Sequence, residues 1–359
     1  MNRIISWIMG TFFRWLPHRA VTGLRPSGRP DADSPVLVTG NYSLTLRRLL
    51  AAIRGEDAWV LSADSGGINV WCAACGGGFT HLQVISAVKV SRLAEKVSHR
   101  VLVLPALAAP GVDAREVKEH TGFSVRFGPV RAGDIPAFLA AGRKKTPAMR
   151  HADFSLSHRL DMLLSMNFIL WLPLALVFGI FFPHAFWGVT ALFWGVAAVS
   201  YVLFPWLPGR TGYLRMLWIM GGVALLLGLA GAQWGSGPLA FWPWMIGGAA
   251  ITTLVFFDAA GIVAPMASDA EALAFALGIK SLPGLLAEKP LGRVSQDPDL
   301  CIGCGLCLDI CPLAVFEKPL EGKKPVTVRP GACFSCGACV LQCPSGALSL
   351  AGKAARPGG

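Results

Sequence analysis

Eight of the ten cysteines fall between Cys301 and Cys343, in two runs of one spacing. Cys301-x-x-Cys304-x-x-Cys307-x-x-x-Cys311-Pro312 is followed by Cys333-x-x-Cys336-x-x-Cys339-x-x-x-Cys343-Pro344. Thiols at this density and period suit iron, and the duplicated run points to two [4Fe–4S] clusters. A structural zinc site does not ordinarily need two repeats of four thiolates. Gly303, Gly305 and Gly337 let backbone N–H groups approach sulfur, and each proline after a fourth cysteine ends a short helix. Such thiolates must stay reduced, which argues against a secreted disulfide framework. The remaining two, in Trp71-Cys72-Ala73-Ala74-Cys75, precede Gly76-Gly77-Gly78. The residues alone leave three roles open for this pair: a thiol–disulfide couple, a metal or cofactor ligand, or inert buried thiols.

Around these cysteines stand 359 residues, 53% hydrophobic and only 15% charged, where a soluble domain carries about a quarter charged residues. Mean hydropathy is +0.54. The composition excludes a disordered chain. The net charge of +11 is unevenly spread. Residues 1–163 carry 21 basic and 12 acidic groups, and residues 164–264 carry only Arg210, Arg215 and Asp258. Residues 265–359 carry nine basic and eight acidic groups. A basic front, an uncharged middle and a balanced end describe a membrane protein with globular ends and exclude nucleic acid as a partner.

Residues 1–20 read as an amphipathic interfacial segment, with Ile4, Ile5, Ile8, Phe12 and Trp15 at helical spacing, and residues 21–35 as a linker. Residues 36–150 alternate short apolar runs with helical periodicity, which predicts a layered α/β domain. Its strands are expected at Val36–Thr39, Trp59–Ser62, Ile68–Trp71, Val101–Leu104 and Ser124–Phe127. Its helices are expected at Leu44–Arg54, His81–Lys96, Asp113–Thr121 and Asp134–Ala141. Ligands of such sheets sit beyond the carboxyl ends of the strands, here near Thr39-Gly40-Asn41-Tyr42, Asn69–Gly78 and Pro105–Gly111. Residues 151–264 predict an α-helical transmembrane domain of about four spans, at 164–182, 186–205, 214–232 and 240–262. Basic residues before the first span and in the middle loop place both globular ends in the cytoplasm, so the expectation is a multi-pass inner-membrane protein with the lipid bilayer as a partner. Residues 265–292 read as a linker with an interfacial helix at 269–287, residues 293–350 as the cysteine-rich domain, and residues 351–359 as a flexible tail.

The segment Asn69-Val70-Trp71-Cys72-Ala73-Ala74 resembles the cap-helix signature of the mercury-methylating corrinoid protein family. That family is in turn similar to the corrinoid iron–sulfur methyl carrier of acetyl-CoA synthesis. The resemblance runs on through Val38-Thr39-Gly40-Asn41-Tyr42, Val97-Ser98-His99-Arg100, Leu104-Pro105, Ala109-Pro110-Gly111-Val112, Gly122-Phe123 and Gly128–Asp134. It implies a Rossmann-like domain holding a cobalamin-like corrinoid, with Cys72 as a thiolate on the lower face of cobalt. The expected corrinoid contacts are Thr39, Gly40, Asn41, Asn69, Val70, Trp71, Cys72, Ala73, Ala74, Gly76 and Gly77. Where the family continues with Gly-Lys-Gly, this chain has Cys75-Gly76-Gly77, and Cys75 is an auxiliary thiol. A thiolate ligand raises electron density at cobalt, which implies methyl donation to a soft acceptor such as Hg(II).

Residues 293–350 resemble the bacterial two-cluster ferredoxin, an α+β fold. Its crossed ligation implies that Cys301, Cys304, Cys307 and Cys343 hold cluster one, and that Cys311, Cys333, Cys336 and Cys339 hold cluster two. The combined expectation is a membrane-anchored corrinoid methyltransferase, with Cys72 as its catalytic residue and cobalt reduced by electrons from the same chain. Its partners would be a methyl-donor protein or methylated cofactor, a low-potential electron donor and Hg(II) as acceptor. The alternatives are a membrane-associated iron–sulfur protein using Cys72 and Cys75 for thiol redox work, and a non-enzymatic corrinoid carrier.

Overall fold

The computed structural model describes residues 3–14, 16–152, 155–203, 205–208, 212–233, 238–259, 294–319, 324–329, 333 and 335–350. The linker at 265–292, its helix at 269–287 and the tail at 351–359 lie outside the described residues. The chain divides into two compact units, one of residues 1–16 and 154–270, the other of residues 17–153 and 271–359.

In chain order the first element is α1 (Arg3–Phe12), which belongs to the apolar helical unit. The second unit then begins with β1 (Gly23–Ser27), β2 (Val36–Gly40), α2 (Ser43–Ala52), β3 (Ala58–Ala63) and α3 (Val70–Cys75). It continues with α4 (His81–Val90), α5 (Leu93–Lys96), β4 (Val101–Leu104), α6 (Ala114–Thr121), β5 (Ser124–Phe127), α7 (Ile135–Ala140) and α8 (Pro147–Arg150). The strands form one sheet in the order β1-β3-β2-β4-β5. β2, β3, β4 and β5 are parallel, and β1 adds to the edge antiparallel to β3. All of β2 is buried, as a strand covered on both faces must be. Val36, Val38, Leu61, Leu102 and Leu104 meet α3, α4 and α6 on one face. Leu37, Val60 and Val103 meet α2, Phe138 and Met149 on the other. From β2 the chain steps to β3 on one side and then to β4 on the other, so the order reverses between β2 and β4. This is a Rossmann-like arrangement, and its ligand crevice lies above that reversal.

Two segments depart from the sequence reading. The expected linker at 21–35 contains β1, whose backbone pairs with Ala58–Ser62 despite Gly23 and Pro26; an edge strand tolerates proline. The expected strand Ile68–Trp71 does not form. Asn69 caps a helix there instead, accepting from the Cys72 N–H, and this local bond overrides the strand preference of Ile68 and Val70. The expected helix His81–Lys96 is broken at Arg92, where φ is +49°.

The helical unit comprises α1 with α9 (Leu156–Phe181), α10 (Pro183–Leu203), α11 (Gly212–Gln233) and α12 (Pro238–Ala259). The segment expected to lie on a membrane packs on α9. Phe12 meets Phe168 with ring centroids 4.8 Å apart, and Arg14 forms a two-pronged ion pair with Asp161, both contacts at 3.0 Å. Among the described residues two helices, α9 and α10, are long and apolar enough to cross a membrane by length and composition, while α11 and α12 fall over the other two expected spans.

The last part of the second unit is an α+β domain: β6 (Val294–Gln296), α13 (Leu306–Ile310), β7 (Phe316–Glu317), β8 (Val326–Thr327), α14 (Ala338–Gln342) and β9 (Leu348–Leu350). β6 pairs with β9 and β7 with β8, both antiparallel. The two halves repeat one backbone device: Gly305 and Gly337 precede their helices at φ +75° and +76°, the left-handed region open to glycine. Ile310 and Ala338 of this domain share one core with Val70, Ala73 and Val112 of the α/β domain.

Candidate functional site

α3 sits at the carboxyl end of the parallel sheet, above the reversal between β2 and β4. Two glycines let it come close. A Cβ on Gly40 would lie 2.6 Å from Ser65 Oγ and 3.3 Å from Val70 Cγ2. A Cβ on Gly111 would collide with the Phe79 carbonyl oxygen and lie 2.9 Å from Ala74 Cα. Val70, Ala73 and Ala74 are buried and turned into the core. Asn41 is likewise 3% exposed and fully occupied. Its Oδ1 accepts from the N–H groups of Ser65 and Gly67 at 2.9 and 3.0 Å, and its Nδ2 donates to Asp64 Oδ1 at 2.9 Å. It ties down the loop that delivers α3. Thr39 is buried, and its hydroxyl has no hydrogen-bond partner among the described residues.

The half-buried face of α3 carries Trp71, Cys72 and Cys75. Asn69 holds Cys72 at its backbone and at its thiol: Oδ1 accepts from Cys72 N–H at 2.9 Å, and Nδ2 donates to Cys72 Sγ at 3.2 Å. Burial pushes the Cys72 thiol up from 9.0, while the Asn69 contact pulls the other way. Beyond the helix, Gly76, Gly77 and Gly78 are exposed. Gly77 adopts φ +78°, and a Cβ there would meet nothing within 4 Å. A thiol with a hydrogen-bond donor, beside open backbone free of side chains, fits a large flat group bearing a metal.

The eight remaining cysteines line two cavities. Cys301, Cys304, Cys307, Cys339 and Cys343 border one. Cys311, Cys333, Cys336 and Cys339 border the other, together with Trp71. Among the described residues no three His, Cys, Asp or Glu side chains converge as a single ion would require. Burial raises the Cys307 and Cys336 thiols to about 12 and also raises Cys311 and Cys339. Iron binding must therefore expel their protons.

The cysteine domain is held against the α/β domain by buried polar contacts that the sequence reading missed. Gln342, 6% exposed, donates from Nε2 to the carbonyls of Ala109 at 3.0 Å and Val112 at 2.7 Å, and its Oε1 accepts from Ala114 N–H at 3.4 Å. Lys145 Nζ lies 3.0 Å from Asp309 Oδ2 and donates to the Asp309 carbonyl at 2.6 Å. Burial lowers the Lys145 ammonium from its ordinary 10.5, and Asp309 opposes that shift. The Ala152 N–H donates to the Pro312 carbonyl at 3.0 Å.

Comparison with known proteins places these features. Residues 15–139 match the family described as CO dehydrogenase/acetyl-CoA synthase delta subunit, and residues 300–347 match the 4Fe-4S dicluster domain. The first match takes in β1, where the sequence reading has a linker. The chain is similar to the acetyl-CoA decarbonylase/synthase complex subunit gamma of Methanopyrus kandleri, 36% identical over 125 residues, which cover 34% of this chain and 27% of that one. The same subunit of Archaeoglobus fulgidus is 34% identical over 125 residues, covering 34% and 26%. That of Methanosarcina acetivorans is 36% identical over 121 residues, covering 33% and 25%. The chain thus spans about a quarter of the length of the curated relatives it matches. Together the two domain matches support a corrinoid and two [4Fe–4S] clusters as its cofactors.

One expectation is corrected, and two others find no support. The matches lead to subunits of acetyl-CoA chemistry, and neither supports mercury methylation or Hg(II) as acceptor. The multi-pass inner-membrane location with cytoplasmic ends is overturned: the relatives are named as subunits of an enzyme complex, not as membrane proteins, and two candidate helices by length and composition do not establish a span. The lipid bilayer is accordingly no longer a supported partner.

Proposed function

We propose that this chain is a corrinoid carrier for methyl transfer that brings its own iron–sulfur electron supply, rather than a self-sufficient methyltransferase. The observation that carries this reading is the Cys72 thiol, held by Asn69 at the head of the sheet crevice, on a helix that also borders a cysteine-lined cavity. When bound, the corrin would supply the methyl-carrying chemistry at its cobalt. Cys72 would give up its proton and offer sulfur to the metal. Asn69 Nδ2 would stay on that sulfur, moderating its donation and fixing its direction, as outer partners of metal ligands do. Gly76, Gly77 and Gly78 would let the ring approach the backbone. In the cysteine domain, Cys301, Cys304, Cys307 and Cys343 would hold cluster one, and Cys311, Cys333, Cys336 and Cys339 cluster two. The cavity linings support this crossed assignment, with Cys339 bordering both. The partners of this reading are a methyl-donor protein or methylated cofactor and a low-potential electron donor, as in a multi-subunit complex.

The test is anaerobic loading of the full chain with a cobalamin-type corrinoid, read by absorption and electron paramagnetic resonance. Cys72→Ala should retain the iron–sulfur spectrum and lose the sulfur-ligated cobalt signature. Identical cobalt spectra for Cys72→Ala and wild type would overturn the reading. If corrinoid fails to bind and a reversible two-electron thiol couple appears at Cys72 and Cys75, thiol exchange replaces it.

A further inference from the structure

The two cysteine cavities are not equivalent. Cavity one is bordered wholly by residues between Gln296 and Leu348, and Cys304 and Ile302 on its rim are exposed. Cavity two has one bordering residue from outside the cysteine domain among the described residues, Trp71 of α3. Cys336 and Cys339 pack against the core that contains Val70 and Ala73 on the same helix.

We propose that Trp71 is a positioning residue that closes the second cluster site against the Cys72 helix, making that site the inner of the two and the one that faces the cofactor crevice. The inference rests on the carrier reading and adds to it a polarity. The first site, with Cys304 and Ile302 exposed, faces an external low-potential one-electron donor, and the second, bordered by Trp71, faces α3. An electron moving inward from the second site crosses the Trp71 indole or the α3 backbone. One electron leaves the donor site and one arrives at the acceptor, no atom or proton is transferred, and the external donor replaces the electron lost. Trp71 was expected to touch the corrinoid; its place on this cavity gives it a second neighbour. The Gln342 and Lys145 contacts hold the arrangement in register.

The experiment uses the full chain with both clusters and no corrinoid, titrated with dithionite and followed by electron paramagnetic resonance. Cluster potentials respond to solvent access and to hydrogen bonds at sulfur. Trp71→Ala should shift the midpoint of one cluster and leave the other in place. Ile302→Ala should shift the other one, and Trp71→Phe, which keeps a flat apolar ring, should stay near wild type. Unmoved midpoints in fully loaded Trp71→Ala would overturn the inference, as would Trp71→Ala and Ile302→Ala moving the same cluster. Because no corrinoid is present, failure here leaves the Cys72 spectral test standing, and failure of that test leaves these midpoints unchanged.

Discussion

Replacing Gln342 with leucine removes a side chain that satisfies two carbonyls of the loop after β4 and the first N–H of α6. Ala109 and Val112 are 0% exposed, so their carbonyls have little access to water as substitute. A buried polar group left unpaired costs roughly 1–3 kcal/mol, and the apolar leucine returns part of this by packing. The expected loss for Gln342→Leu is therefore about 2–4 kcal/mol in the docking of the cysteine domain, roughly 30- to 1000-fold in its opening equilibrium. Hydrogen exchange reads this directly, because the Ala114 amide donates to Gln342 Oε1. Exchange in the 109–115 segment should accelerate by that factor, while amides of β2 and β4 keep wild-type protection and cluster loading is unchanged. Equal exchange rates at 109–115 in variant and wild type would refute the docking argument.

The other expectations concern charge and protons. Asp309→Asn leaves the 2%-exposed Lys145 ammonium without its counter-charge and should lower stability by about 1–3 kcal/mol, discounted for the exposure of Asp309. Lys145→Met removes the buried charge itself and should cost less; denaturant midpoints that rank the two the other way would contradict this. Burial raises the Cys72 thiol, so in the metal-free chain its alkylation should reach half its limiting rate above pH 9.0. The sign carries to stability: the folded chain keeps this proton longer than the unfolded one, so the contribution is complete below 9.0 and lost as pH climbs through the higher folded value. Asn69→Ala removes the contact that favours the thiolate and should move the alkylation midpoint higher still, as peptide mass analysis of the modified chain would show.

What could be read from the residues and what could not follow from the range of the interactions. The cysteine runs were legible because ligand spacing is a local pattern, and Val36–Gly40 and Val101–Leu104 because buried parallel strands leave continuous apolar runs. Ile68–Trp71 misled because β-branched residues look like a strand until Asn69 is recognised as a cap, a bond only three residues long. Gly23–Ser27 was hidden by Gly23 and Pro26, which an antiparallel edge accommodates. Gln342 reaches Ala109 across 233 positions and Lys145 reaches Asp309 across 164, so nothing beside either residue announces its partner. The expected corrinoid contacts divide for the same reason: the pattern marks the helix, and only the fold decides that Val70, Ala73 and Ala74 turn inward while Cys72 does not.

One compact unit is assembled from residues 17–153 and 271–359, with another unit encoded between them. During translation the sheet emerges from the ribosome long before Ile310 and Ala338 exist to complete its core. The nascent α/β portion must wait with an apolar flank beside α3 uncovered, and closing that gap joins ends separated by more than a hundred residues. Loop-closure entropy grows only slowly with such length. The delay is thus chiefly one of time, and chaperones would find their exposed target on the very face later given to electron delivery.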